Sequence, residues 1–185
     1  MRLKISLIYL NGKFIKMYPK DFIKKVLIDE MQDIVAKHPY SAFVLICSGI
    51  EFLGKCIDTQ TQDWNKYKPN GEQFKCAIIK LFPSKYHQYC DLLYQQLRNG
   101  LVHSLIPKSK IGLFSKNDEI YYKIFNEKHP IFDEDKNRLK IGIEYFYNDF
   151  VEACKKVLVM EFSEDKMDKP LLSTPSEGFQ KKLSK

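Results

Sequence analysis

Arg98, Asn99 and His103 fall within the short run LRNGLVHS, and their types and spacing suggest chemistry more directly than any others in the chain. A guanidinium stays charged and matches phosphate oxygens in pairs, while an imidazole with an ordinary pKa near 6.5 exchanges a proton close to neutrality. Together they could stabilise developing negative charge and move a proton in the same reaction. On a helix, Asn99 and His103 share nearly one face and Arg98 lies one step round. The plain alternative is a surface salt bridge at Arg98 and a histidine favoured by the negative end of the helix dipole, an effect of a few tenths to ~1 kcal/mol. Gly100 weighs against it. A glycine inside a helix costs about 1 kcal/mol relative to alanine, so something nearby should need a bare backbone there.

The element that must carry this group is a helix over residues 84–107, SKYHQYCDLLYQQLRNGLVHSLIP. Tyr86, Tyr89 or Cys90, Leu93, Leu97 and Leu101 recur at helical spacing and make its apolar stripe. Ser84 is the predicted N-cap, and Pro107 should end the helix near Leu105. Upstream, Pro19 opens a helix of about 18 residues that His38-Pro39 closes. The next helix, 41–58, contains the most apolar run, AFVLIC, and must be central. Along it Ser48, Glu51, Lys55 and Asp58 form one polar stripe. That stripe is either a solvent-facing edge or a face turned to the motif helix, where Ser48 or Glu51 would support the site and Glu51 could orient Arg98 as a carboxylate partner. Residues 59–71 read as a loop in which Trp64 and Tyr67 alternate with Lys66 and Lys68, an arrangement that can stack bases but more often pins a loop to the core. A shorter helix, 72–82, leads into the motif helix.

After Pro107 the pattern changes. KIGLFSKNDEIYYKIF reads as two strands joined at Lys116-Asn117-Asp118, RLKIGIEY as a third strand, and 145–162 as a last helix. At the other end, Asn11-Gly12 suggests a hairpin within residues 3–17, with a short helix as the alternative. The predicted fold is mainly α: a bundle of four to five helices with a small antiparallel β element, at about 111–143, inserted before the last helix. Residues 1–162 would form one domain and 163–185 a polar, disordered tail.

The chain has 185 residues and a formal charge of +7, and the charge is unevenly placed. Residues 1–110 hold 17 Lys/Arg against 9 Asp/Glu, whereas residues 111–185 hold 13 against 14. The basic half is therefore the half with the Arg–His motif, as expected of a protein that meets polyphosphate. Lys55, Lys66, Lys68, Lys108 and Lys110 are the candidate nucleic-acid contacts. Five cysteines, with no C-x-x-C pair, read as reduced core residues, so neither a metal nor a cofactor is expected. No run reads as approaching the ~18 apolar residues of a membrane span, and the start lacks a signal-peptide cleavage site, which points to a cytoplasmic protein.

The string RNGLVHSL resembles the R-N-x-x-x-H signature of the HEPN superfamily (higher eukaryotes and prokaryotes nucleotide-binding domains), with four residues between Arg98 and His103. The resemblance covers roughly 20–107 and implies an all-α bundle with the motif near the end of a late helix. It further implies a metal-independent endoribonuclease: His103 would exchange the proton, Arg98 would stabilise the phosphorane, and Asn99 would complete the motif. The products would be 2′,3′-cyclic phosphate and 5′-hydroxyl ends. Such proteins commonly pair two motifs across a homodimer, which would account for Gly100 as a point of close approach. The resemblance also admits a toxin with a nucleotidyltransferase or other antitoxin partner, an accessory domain in an antiviral system, or a non-catalytic RNA-, nucleotide- or protein-binding module. The tyrosine such an antitoxin modifies would stand at Leu105.

Overall fold

The computed structural model describes residues 9–10, 13–14, 17–59, 64, 68–126, 128–162, 165–169 and 171. The chain is mainly helical, with a small mixed sheet. Helix α1 runs over 19–37, with Pro19 in its first turn, and its middle, Ile23–Glu30, is wound as a π-helix. Helix α2 is Pro39–Ile57 and α3 is Glu72–Leu81. The motif helix, α4, spans 84–104 and changes pitch repeatedly: 3₁₀ over Ser84–Tyr89, π over Leu93–Arg98, and α over Asn99–Ser104. Helix α5 is Tyr121–Phe125 and α6 is Ile143–Val159.

Helix α2 is the centre of the bundle because its apolar residues surround it. Ala42, Phe43, Ile46, Cys47, Ile50, Leu53 and Cys56 are all buried, against α3, α6, α1 and α4. Its closest neighbour is α3, and the crossing needs Gly54, since a Cβ there would collide with the Gln73 carbonyl. By length and composition α2 could also cross a membrane, contrary to the sequence expectation for this run. In the fold it is the core helix. The stripe expected on the motif helix is buried at Tyr86, Cys90, Leu93, Leu97 and Leu101. Its expected N-cap is not: Ser84 lies inside the 3₁₀ turn and Pro83 holds the cap position with no side-chain bond.

The β element differs from expectation in two respects. Strand β3 is Ile111–Phe114, but the second arm, Tyr121–Phe125, is helical, because Tyr121 and Phe125, four apart, are both driven into the core. The three-stranded sheet has the order β3, β5, β4, where β4 is Ile131–Asp133 and β5 is Arg138–Gly142. β5 pairs parallel with β3 and antiparallel with β4, so the sheet is mixed rather than antiparallel. A short antiparallel pair, β1 (Tyr9–Leu10) and β2 (Lys13–Phe14), favours the hairpin near the start; its turn, Asn11-Gly12, lies outside the described residues.

Part of the stretch expected as a tail is docked. Lys166 is buried, and its ammonium donates to the carbonyls of Lys55 and Asp58 at 2.6 Å each, closing the C-terminal end of α2. The Leu171 N–H donates to the Met17 carbonyl at 2.8 Å.

Candidate functional site

Arg98 sits at the last residue of the π-helical segment of α4, where it faces α2. Its Nη2 and Nε donate to one oxygen of Glu51, at 2.6 and 3.2 Å, and its Nη1 donates to Asn99 Oδ1 at 3.1 Å. The guanidinium also lies 5.8 Å from the Tyr94 ring centre. Both charged side chains are only 15% exposed. Glu51 is thus the residue of the α2 polar stripe that meets the motif. Ser48 instead donates back to the Val44 carbonyl at 3.2 Å, although it lines the same groove.

That groove holds about 490 Å³ and runs between α1, α2 and α4. Phe22, Val26, Met31, Leu45, Phe52 and Val102 give it apolar walls, and Glu30, Glu51, Lys55 and Arg98 give it charge. A mostly apolar cleft with a few placed polar groups is the usual form of a binding site. Two of its three walls come from helices with π turns, Ile23–Glu30 and Leu93–Arg98, and such turns recur where a helix must re-aim side chains.

His103 is not in the groove. It is exposed on the final turn of α4, and no hydrogen bond or ion pair to a described residue holds it. The motif therefore does not line one pocket: Arg98 lines the groove and bonds Asn99, whereas His103, one α turn on from Asn99, is exposed and does not line it. Gly100 also has a different cause from the one expected. A Cβ there would stand 2.6 Å from the Ile106 carbonyl oxygen and 2.9 Å from the Lys108 nitrogen, so the bare backbone lets residues 106–108 of the same chain cross the helix. The crossing is fixed by Lys108 N–H donating to the Gln96 carbonyl at 2.9 Å.

The candidate lysines separate into groups. Lys68 pairs with Asp58 at 3.0 Å, and Lys55 reaches the Trp64 carbonyl at 3.3 Å, so both have partners inside the protein. Lys66 lies outside the described residues. Lys108 and Lys110 are exposed, just beyond the motif helix. Trp64 is held against the core: its ring stacks on Phe52 at 5.4 Å, and Lys166 lies 5.5 Å from its centre.

A second polar cluster carried no sequence signal. Tyr86 donates to Asp149 Oδ2 at 2.7 Å and lies 3.1 Å from His129 Nδ1, while Gly142 N–H donates to His129 Nε2 at 3.1 Å. Accepting that bond requires Nε2 to be bare, so the proton of the neutral ring is on Nδ1 and points to the Tyr86 oxygen. Burial, reinforced by Lys85, pushes the His129 pKa down to about 3. Burial and the neighbouring Asp149 carboxylate push the Tyr86 phenol far above its ordinary value. Neither group is poised to exchange protons near neutrality; the cluster ties the β element to α4 and α6. Its residues lie 43 and 63 positions apart along the chain, beyond any local pattern.

All five cysteines are free, four are buried, and burial raises the thiols of Cys90 to about 11 and Cys56 to about 12. No group of His, Cys, Asp and Glu that could hold a metal occurs among the described residues. No protein-family model, curated protein or solved structure matches the chain.

Proposed function

We propose that this chain is a HEPN-like, metal-independent endoribonuclease that acts in the cytoplasm as a homodimer, leaving 2′,3′-cyclic phosphate and 5′-hydroxyl ends. The observation that carries the reading is Arg98 held in a fixed pose by Glu51 and Asn99, on the same helix as an exposed His103 that has no partner among the described residues. A guanidinium fixed before substrate arrives needs no reorganisation as the phosphorane forms, and each terminal nitrogen keeps a second N–H that no described residue accepts. His103 would take the 2′-hydroxyl proton and supply one to the departing 5′-oxygen.

One protomer is short of this chemistry, because His103 lies outside the groove that Arg98 lines and Glu51 offsets the charge of Arg98. A second copy would supply what is missing. Val102, Leu105 and Ile106, beside His103, are exposed apolar residues, and Leu105 and Ile106 are 64% and 66% exposed. Leu105 also adopts a left-handed backbone, φ 58°, where glycine or asparagine is favoured. A strained, outward-facing leucine at that point is suited to a contact surface.

The same pairing of Arg98 with Glu51, and the separation of His103, favour a second reading: a non-catalytic module that binds RNA, a nucleotide or a protein such as an antitoxin. RNA digestion separates the two. The ribonuclease reading expects wild-type protein to cleave single-stranded RNA in EDTA, and His103→Ala to abolish cleavage with an unchanged circular dichroism spectrum. Diverse RNA left intact at enzyme excess, with EDTA and with Mg²⁺, selects the binding module.

A further inference from the structure

We infer that the groove between α1, α2 and α4 receives a single unstacked nucleobase, and that guanine fits it best. The inference names a substrate element for the proposed RNA site and rests on that reading. Glu51 gives one carboxylate oxygen, Oε2, to both Nε and Nη2 of Arg98. Its other oxygen has no hydrogen-bond partner among the described residues, and Glu51 lines the groove. The polar end of the groove therefore offers an open acceptor beside open guanidinium N–H donors.

This pairing selects among occupants. An aliphatic chain could fill the space of about 490 Å³ but would cover the Glu51 oxygen and the Arg98 N–H groups without bonding them, which is costly. A base edge places donors next to acceptors and satisfies both. Guanine is favoured because two adjoining donors, N1–H and N2–H, can converge on the lone pairs of the one open Glu51 oxygen while O6 accepts from the guanidinium. The other bases bring only one position with donor hydrogens to that edge. Phe22 and Phe52, with ring centres 4.9 Å apart, furnish aromatic surface against which a base can rest. The base would enter next to the arginine proposed to meet the phosphate, so the groove would set which nucleotide flanks the cut.

Calorimetric titration of the full chain with GMP, AMP, CMP, UMP, ribose 5-phosphate and decanoate tests the assignment. GMP should bind at least tenfold more tightly than ribose 5-phosphate and more tightly than the other three nucleotides. Val26→Trp, which fills the groove from a half-buried position, should remove that advantage while retaining the helical spectrum, and Glu51→Gln should reduce the preference for GMP. Equal affinity for GMP and ribose 5-phosphate, GMP binding that survives Val26→Trp, or binding of decanoate alone would each overturn it. GMP binding by a protein that leaves RNA intact would sink the ribonuclease reading alone, whereas His103-dependent cleavage without any base preference would sink the groove assignment alone.

Discussion

Arg98 on the motif helix and Glu51 on the central helix meet at 2.6 Å, with both side chains largely withdrawn from solvent. The pair joins two helices and sets the pose of the guanidinium. Removing one partner leaves the other charge poorly compensated, whereas removing both does not. Glu51→Ala and Arg98→Met should each destabilise the fold by about 1–3 kcal/mol, and the double variant by clearly less than their sum. Urea unfolding of the four proteins measures the coupling. Additive losses would show that the two residues do not interact in solution.

Gly100 makes the opposite kind of prediction from the one its position in the motif suggests. Because its missing Cβ makes room for the Ile106 carbonyl and the Lys108 nitrogen of the same chain, Gly100→Ala should act on folding. We expect a loss of about 1–3 kcal/mol from overpacking against backbone, with the mass of the folded species unchanged by light scattering. A variant of full stability that changes oligomeric state would place Gly100 at an interface instead.

Helices α1 to α4 and α6 and their buried faces were legible because each obeys a local rule. Pro19 starts α1, the spacing of Leu93, Leu97 and Leu101 survives the pitch changes in α4, and AFVLIC marks the core helix. What the sequence hid was long-range or depended on register. The π turn ending at Arg98 alters the helical phase between the apolar stripe and the motif, so a uniform helical wheel drawn from Tyr86 misplaces Arg98 relative to the core, while Asn99–Ser104 keeps the ordinary α spacing. Tyr121–Phe125 read as a strand because aromatic and β-branched residues favour both, and only burial of Tyr121 and Phe125 on one helical face decides it. The Arg98–Glu51 contact was foreseeable as one of two options for the α2 stripe; choosing between them required the packing of two helices 47 residues apart.

His129 should make the protein acid-sensitive in a defined window. Its folded pKa, about 3, lies below the ordinary value of 6.5, so the unfolded chain binds the proton more readily. Stability from this group is present above about pH 6.5 and falls as pH drops toward 3, by up to about 1.4 kcal/mol per pH unit. Protonation would put a hydrogen on Nε2, against the N–H of Gly142. His129→Gln should lower stability at pH 7 and flatten the slope between pH 4 and 6. An unchanged slope would mean that another group controls acid unfolding.

The basic residues should not contribute equally to RNA affinity. Lys108 and Lys110 are exposed beside the end of α4, whereas Lys68 is held by Asp58. Each neutralised phosphate on a single strand contributes roughly −0.7 to the slope of log K against log salt. Lys108→Ala with Lys110→Ala should therefore weaken binding and reduce the slope by about 1–1.5, while Lys68→Ala should chiefly affect stability. Fluorescence anisotropy across a salt series measures both quantities. A wild-type affinity that does not depend on salt would point to a partner other than a polyphosphate.

Leu105 allows dimerisation to be tested without the ambiguity of a variant that fails to fold. It is 64% exposed and occupies the left-handed position that ends α4, with its N–H donating to the Leu101 carbonyl at 3.0 Å and its carbonyl accepting from Tyr40. Asparagine tolerates that backbone better than leucine and keeps both backbone bonds, so Leu105→Asn should leave the isolated chain as stable as before or raise its stability by up to about 1 kcal/mol. If Leu105 and Ile106 cover one another's copies in a homodimer, the same substitution should weaken association. Light scattering should then shift from twice the 21.8 kDa chain toward a single chain as the protein is diluted, with RNA cleavage lost over the same concentrations. Stability and association would move in opposite directions, which simple loss of folding cannot mimic. A wild-type chain that is monomeric at micromolar concentration and still cleaves RNA would remove the second copy from the mechanism and leave Leu105 without a role in it.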